Sequence, residues 1–444
     1  MRGHDYSVAV IRTSLALAAG KAVRGLSRLR GGGSALPGLV AEKVDPAVLR
    51  HTLAGLPEGV VVVSGTNGKT TTTKMLVALL KAHGLRVFTN PTGSNFTRGV
   101  ISSMLGEVSV RGRLAADCAV LELDEAHALR FAEQVPPTHT LLLNVARDQL
   151  DRFAEIDHTA RLLTRLAEQT TDGVVLNADD SYIAGARSVL APGVRVSWFG
   201  VDPAIAHRLP ELQEADVRAA DLDVPAPAPG ELTGLLDVVD DRSLVVRLDG
   251  SPVGPLRLRQ RGLAAMINAT AAVTTARALL GERFDPVAAA RALEAVNPPF
   301  GRGEVIDVDG APLELVLVKN PAGFTVALGT YGSEPVTTMI AINDNYADGR
   351  DVSWLYDVSF DSLAGRGVAL TSGVRAYDMA LRLQYDGVAV DRVLPDLDEA
   401  LEAFLAVEPG SPRRIFSTYT AMMHLRRRLA ARYGLARFGE DPAA

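Results

Sequence analysis

The chain has a single cysteine, Cys118, which excludes an intrachain disulfide and any zinc site built from several cysteines. Cys118 stands in the apolar run "DCAVLEL" and reads as a buried strand residue. An excess of positive charge is also missing. The formal net charge is −6, the isoelectric point lies near 5.8, and the two signs are mixed, so the basic stripe of a general nucleic-acid binder is absent. Arginine far outnumbers lysine, which reads as compositional habit. Near the amino end, "YSVAVIRTSLALAAGKAVRGL" is broken by Arg12 and Lys21, too short for a spanning run, and without a signal-cleavage pattern. An amphipathic helix packed on the body is the expectation there, with peripheral membrane contact as the other reading. A cytosolic chain is expected, and no short-period repeat is visible.

What is present is enough apolar residue for real cores, 47% over 444 residues, and length for two or three domains. Residues 1–50 read as a helix followed by the flexible "RGGGSALPG". From Gly59 short apolar strands alternate with helical stretches: "VVVV" (Val60–Val63), "LRVFTN", "CAVLEL", "THTLLLNV" and "GVVLN". That alternation predicts a mostly parallel sheet with helices on its faces. Between about 201 and 260 the sequence turns Pro- and Gly-rich, with the alternating "SLVVRLDG", and reads as a small β insertion. "NPPFGRGE" (Asn297–Glu304) reads as a hinge into a last domain whose strands are "LELVLV", "VTTMIAIN" and "GVALTS".

The segment "VVVSGTNGKTTTTKMLVALL" carries the first chemistry. Glycines let a backbone curl so that successive N–H groups face phosphate oxygens, and the following helix adds its positive end. In Gly65, Thr66, Asn67, Gly68, Lys69, Thr70 and Thr71 we read a nucleotide-binding loop: Lys69 for the β/γ-phosphates, the Thr70 hydroxyl for Mg²⁺. The loop falls short of the full phosphate-loop pattern unless Val63 or Ser64 replaces its first glycine. The strand before and the helix after supply the context that a bare G-K-T lacks. A magnesium ion also needs carboxylates, and two acidic clusters sit at strand ends: Glu122, Asp124, Glu125 with His127, and Asp148 with Asp151. Taken singly each acid reads as a solvated charge, except Glu122, which directly follows an apolar strand. His127 reads as a packing or surface residue rather than a ligand.

The order "GTNGKTT", "NPTGSNFTRGV", "LELDEAHAL", "NVARDQLDRF", "NADD", "FGRGE" resembles the Mur ligases, which use ATP to make an acyl phosphate that an amine attacks. The resemblance runs from about residue 59 to the end and implies an α/β fold. It implies a Mur-ligase-like phosphate-loop central domain (51–300) with a mostly parallel sheet, helices on both faces and the β-rich insertion. A Rossmann-like C-terminal α/β domain (301–444) follows. Departures narrow it. Only about 50 residues precede the central domain; Gln149 replaces a family histidine; the position of the lysine carbamylated in many Mur ligases is Leu163. "VLVKNP" (Val316–Pro321) loses an aspartate and a histidine, and Ala265 replaces one of two asparagines while Asn268 remains. These changes, with "RDQLDRF", "VKNPAGF", "INDNYADGRDVSWLYDVSF", "SGVRAYDMALRLQYDGV" and "TYTAMMHLRRRLA", resemble the MurT family, the Mur-ligase-like subunits of lipid II isoglutaminyl synthase. Some members carry a four-cysteine zinc ribbon, which this chain cannot build, so no zinc is expected.

The resemblance implies ATP- and Mg²⁺-dependent activation of the D-glutamate α-carboxylate of lipid II, followed by amidation. The ammonia would come from a glutaminase partner, a GatD-like class I glutamine amidotransferase, and no nucleophilic Cys–His pair is visible in this chain. By match, Lys69 and Glu122 are catalytic, Thr70 and Glu122 hold metal, and Asn268, Arg302 and, more weakly, Asn177 contact the nucleotide. "NDNYADGRDVSW" alone reads as an acidic loop or Asx-turn. By resemblance, its Asp351 completes the partner's Cys–His pair, and Trp354 is a residue type favoured at interface centres. Two other readings stand beside this one: a stand-alone Mur- or folylpolyglutamate-type ligase, and a non-catalytic ATP-binding scaffold of a glutaminase.

Overall fold

The computed structural model describes residues 2–29, 36–90, 96–146, 156–206, 227–228, 230–332 and 334–435, with side chains of the first helix described from 11 to 27. Asp148, Gln149 and Asp151 lie outside the described residues.

The amino-terminal helices α1 (Arg2–Leu29), α2 (Leu36–Val44) and α3 (Val48–Leu53) precede the first sheet. Five βα units follow: β1 (Val60–Ser64), α4 (Lys69–Ala82), β2 (Val87–Thr89), α5 (Thr97–Met104), β3 (Cys118–Glu122), α6 (Glu125–Ala132), β4 (His139–Leu142), α7 (Ile156–Glu168), β5 (Gly173–Asn177) and α8 (Ser181–Gly185). The strands are short, continuous apolar runs with every residue of β1, β3, β4 and β5 buried, as strands covered on both faces must be. Next come β6 (Arg195–Val201), α9 (Pro203–Ala206), β7 (Leu232–Val238), β8 (Ser243–Leu248), β9 (Ser251–Arg257), α10 (Leu263–Leu280) and α11 (Pro286–Ala295).

The nine strands form one sheet in the order β2-β3-β1-β4-β5-β6-β7-β8-β9, parallel from β2 to β7 and antiparallel thereafter. The β-rich stretch expected near 201–260 is therefore the edge of the main sheet, reached through the parallel β6–β7 pair. One apolar core lies on each face. Among the described residues, one helical stretch is long and apolar enough to cross a membrane, Leu263–Arg283; 67% of its apolar window is buried, and α10 packs on α4 and the sheet. Cys118 is fully buried, and burial pushes its thiol up to about 12.

The second sheet is built from β10 (Arg302–Val308), β11 (Ala311–Leu317), α12 (Pro321–Tyr331), β12 (Thr337–Ala341), β13 (Val368–Ser372), α13 (Ala376–Tyr385), β14 (Val390–Leu394), α14 (Leu397–Leu405), β15 (Arg413–Ser417) and α15 (Tyr419–Tyr433). Its order is β10-β11-β15-β12-β13-β14, antiparallel only at β10–β11. It too carries a core on each face.

A buried ionic knot joins the two sheets. Arg414 on β15 is 1% exposed and reaches Glu314 and Glu334 at 2.6 Å each, while donating to the Tyr331 carbonyl at 2.6 Å. Arg261, just ahead of α10, pairs with the same Glu334, and both guanidinium groups lie over the Tyr331 ring. Arg261 first, then Arg414 against the opposing effect of burial, holds the Glu334 carboxyl below its usual range. Removing one member of such a buried set leaves uncompensated charge. Arg414→Leu should cost about 3 kcal/mol in denaturant unfolding, with part of it recovered by adding Glu314→Leu. An unchanged midpoint in the single variant would refute the structural weight given to this knot.

Candidate functional site

Strand β1 is flanked by β3 and β4, the place where strand order reverses and an open α/β sheet leaves a crevice at its carboxyl end. The loop Gly65–Gly68 leaves β1 there. Gly65 has φ 131°, and a Cβ on it would lie 3.0 Å from the Asn144 nitrogen; Gly68 has φ 88°, and a Cβ would lie 2.3 Å from Asn268 Oδ1. Both positions thus require glycine for conformation and for space.

The loop is pinned from two directions. Asn67 N donates to Asn144 Oδ1 at 2.9 Å, Asn144 Nδ2 donates to the Asn67 carbonyl at 3.1 Å, and Thr66 N donates to the Asn144 carbonyl at 2.9 Å. From the second sheet, Asn320 Nδ2 donates to Asn67 Oδ1 at 3.0 Å and Lys319 Nζ to the Thr66 carbonyl at 3.3 Å. Asn320 is also the N-cap of α12, accepting from Gly323 N.

Lys69 opens α4 and is buried. Its ammonium donates to the carbonyls of Gly65 and Thr66 and lies 3.3 Å from Glu125 Oε1. Thr70 Oγ1 donates to Glu122 Oε1 at 2.7 Å, so a hydroxyl and a carboxylate oxygen meet in one buried spot. The Glu122 backbone is fixed by the Asn90 side-chain amide, which donates to its carbonyl at 2.8 Å and accepts from its N–H at 2.9 Å. Burial alone would push the Asp124 carboxyl up, yet His127, Lys69 and Lys319 together hold it below its usual range. His127 lies 3.6 Å from Asp124 and packs edge-on against Phe96. Arg302, at the start of β10, is held down by burial and pulled back up by Glu122 and Tyr419.

A cavity of about 150 Å³ adjoins the loop, lined by Gly68, Asn144, Asn177, Asp180 and Asn268 from the first sheet's side and by Gly323 from α12. Asn177 Nδ2 donates to the Leu143 carbonyl at 2.8 Å. Asp180 accepts from Val145 N and caps α8, and burial pushes its carboxyl up to about 6.

Of the residues singled out from sequence, Gly65 to Thr70, Glu122, Asn177, Asn268 and Arg302 gather around this loop and cavity. Thr71 is buried in the first turn of α4. Asp351 sits apart, exposed on the loop after β12, where its Oδ1 accepts from Ser353 N at 2.8 Å in an Asx-turn. Trp354, expected as a contact anchor, is buried against Phe324. Leu163 is core, 1% exposed on α7. Sequence reasoning assigned nothing to Asn144, Lys319 and Asn320; an asparagine ahead of "PAG" was a legible cap signal for the last.

The donor set fits a nucleotide with a divalent ion: a curled loop, a lysine, a hydroxyl beside a carboxylate, and a cavity rich in asparagine. Fold and site define a phosphate-loop ligase of the Mur type. Residues 63–222 match the Mur ligase middle domain and residues 317–422 the MurT ligase C-terminal domain. The chain is 31% identical to the lipid II isoglutaminyl synthase (glutamine-hydrolyzing) subunit MurT of Streptococcus pneumoniae, covering 95% of this chain and 98% of that one. It belongs to the MurT family. The fold is shared with MurF from Acinetobacter baumannii (TM-score 0.64, 19% identity, 89% of this chain and 81% of that chain). It is shared also with a MurF ligase from Thermotoga maritima solved with ADP (TM-score 0.61, 16% identity, 88% and 85%).

Gly68→Ala should weaken ADP binding by about tenfold or more in calorimetric titration, since a strained left-handed alanine also strikes Asn268. Wild-type affinity in that variant would show that the loop does not need its observed form.

Proposed function

We propose that the chain is the ligase subunit of a lipid II isoglutaminyl synthase, activating the D-glutamate α-carboxylate of the stem peptide with ATP and amidating it with ammonia. The observation that carries this reading is similarity to the pneumococcal subunit over nearly the whole of both chains. The cluster of Lys69, Thr70, Glu122, Arg302 and Lys319 around one loop supports it.

A carboxylate oxygen is a poor leaving group, so direct attack by ammonia fails. In the proposed reaction a carboxylate oxygen attacks the γ-phosphorus and the bond to the bridging oxygen breaks, releasing ADP. Ammonia then attacks the acyl carbon, phosphate leaves with the C–O electron pair, and the nitrogen sheds a proton to give the amide. Lys69 exchanges the loop carbonyls that it now bonds for phosphate oxygens. Thr70 and Glu122 would hold Mg²⁺, whose charge offsets that of the β- and γ-oxygens. Arg302 and Lys319 add positive charge from the second sheet's side, where the carboxylate of the reacting acid and the phosphates of the nucleotide would otherwise repel.

Ammonia needs a source. Cys118 is buried in β3 with its thiol pushed up to about 12, the opposite of a nucleophilic cysteine. A separate glutaminase of the GatD kind is the partner in this reading, working with the chain on the cytoplasmic side of the membrane. Asp351 orients the partner's imidazole; hydrogen bonds from Ser353 hold its carboxyl below the usual range and therefore ionised. Next to it lies a large exposed apolar face. Tyr377, Leu381 and Tyr385 follow one side of α13 at 68%, 48% and 70% exposure, and Tyr356 lies 6.1 Å from Tyr385.

The test is amidation of lipid II by the chain with its glutaminase, read by mass spectrometry of the stem peptide. Lys69→Ala should lower amide formation by about a hundredfold or more with either nitrogen source. Asp351→Asn should abolish the glutamine-dependent rate and leave the ammonia-dependent rate intact. Binding of ATP with no amide under any condition would replace this reading with that of a regulatory scaffold.

A further inference from the structure

Helix α1 has two faces that both carry apolar residues. The inner one is packed: Ala16 and Leu17 are fully buried, and a Cβ on Gly20 would lie 2.7 Å from Leu105 and 3.1 Å from Ala41. Arg12 Nε donates to the Val44 carbonyl and Lys21 Nζ to the Leu105 carbonyl, both at 2.8 Å, clamping the helix down. The outer face needs a different explanation. Ile11, Leu15 and Leu26 are 59%, 60% and 59% exposed, and Ala18, Ala22 and Gly25 continue the same stripe.

A second element extends this surface. The turn after α5 closes through Ser109 N to the Arg113 carbonyl at 2.8 Å. It sits against α1, since a Cβ on Gly112 would lie 3.8 Å from Thr13 and 3.9 Å from Leu17. Its tip carries Val110, 55% exposed, beside the exposed Arg111 and Arg113. The charge pattern is one-sided. Residues 1–30 hold six bases against the single acid Asp5, in a chain whose net charge is −6; of these, Arg12 and Lys21 bond body carbonyls and Arg24 lies against Gly106, so the described bases beside the apolar surface are Arg111 and Arg113.

We infer that the outer face of α1, with the Val110–Arg113 turn, docks on an anionic bilayer surface. The apolar stripe enters the headgroup boundary while Arg111 and Arg113, beside Val110, meet lipid phosphates. A helix held to the body by its inner face brings the whole chain with it. The inference stands on this face and its charge alone, and its test does not require the proposed reaction.

The experiment is co-sedimentation of the full chain with vesicles of phosphatidylcholine, with and without phosphatidylglycerol. Wild type should partition onto the anionic vesicles and leave them as salt rises. The double variants Leu15→Glu/Leu26→Glu and Arg111→Glu/Arg113→Glu should each partition about tenfold less, with thermal midpoint and ADP binding unchanged because these positions are exposed. Equal partition onto both vesicle types overturns the proposal, as does wild-type partition of both double variants. Vesicle-independent dimerisation that Leu15→Glu/Leu26→Glu abolishes would overturn it in favour of a second copy of the chain.

Discussion

The asparagine clamp on the phosphate loop is the contact on which the rest of the structure turns. Asn67 is held through its backbone by Asn144, just beyond β4, and through its side chain by Asn320, at the cap of α12. The loop therefore senses the position of both sheets at once. Each of these bonds is worth only about 1 kcal/mol net. They suffice to select one loop geometry without locking the two sheets together. Lys319 and the Thr66 carbonyl add a contact of the same scale.

The stronger ties lie elsewhere. Arg261, Arg414, Glu314, Glu334 and Tyr331 form a largely buried set centred on Arg414. Gly262, next to Arg261, has φ 94° and approaches Thr330 so closely that a Cβ would lie 2.5 Å from its hydroxyl. Tight, buried contacts around Arg414 and light, exchangeable ones over the loop are a division suited to a site that must admit two large substrates. One light contact ends on an acceptor that Lys69 also bonds, the Thr66 carbonyl, so a bound phosphate would compete with that carbonyl for the ammonium groups of both Lys69 and Lys319.

How far sequence could go depended on whether each feature was local. The strand–turn–helix from Val60 to Ala82 was readable because glycine, lysine and threonine act through their own backbone turn. Glu122 was readable because it ends an apolar run. The clamp was not, since Asn144 and Asn320 lie 77 and 253 residues from Asn67 and nothing in their own neighbourhoods announces the partner. β15 escaped notice because "RRIFS" looks like surface, yet all five residues are buried; Arg414 is accommodated by two glutamates and Arg413 by backbone carbonyls. Trp354 misled in the opposite sense: an aromatic among aspartates resembled an interface anchor, but the chain folds it under Phe324 and presents Tyr356 instead.

Residues just past the carboxyl ends of β1, β4 and β11 meet at the phosphate loop, on the side of the second sheet from which the exposed Asp351 loop also leaves. β12 and β15 are neighbours at the place where the second sheet's order reverses. From the end of β12, Asp348 accepts bonds from Thr420 at the start of α15. Tyr419, the adjacent residue, lies within the electrostatic influence of both Asp348 and Arg302, and Arg302 within that of Glu122. A chain of hydrogen bonds and charge interactions thus runs from the surface loop, through the amino end of α15, to the carboxylate beside Thr70. Burial pushes the Asp348 carboxyl up, against the lowering effect of its hydrogen bonds from Thr420 and Asn345. A protein seated on the exposed tyrosines of α13 would press on one end of this chain of contacts while the nucleotide occupied the other. Coupling between them requires only that the loop have two arrangements of differing affinity for each ligand.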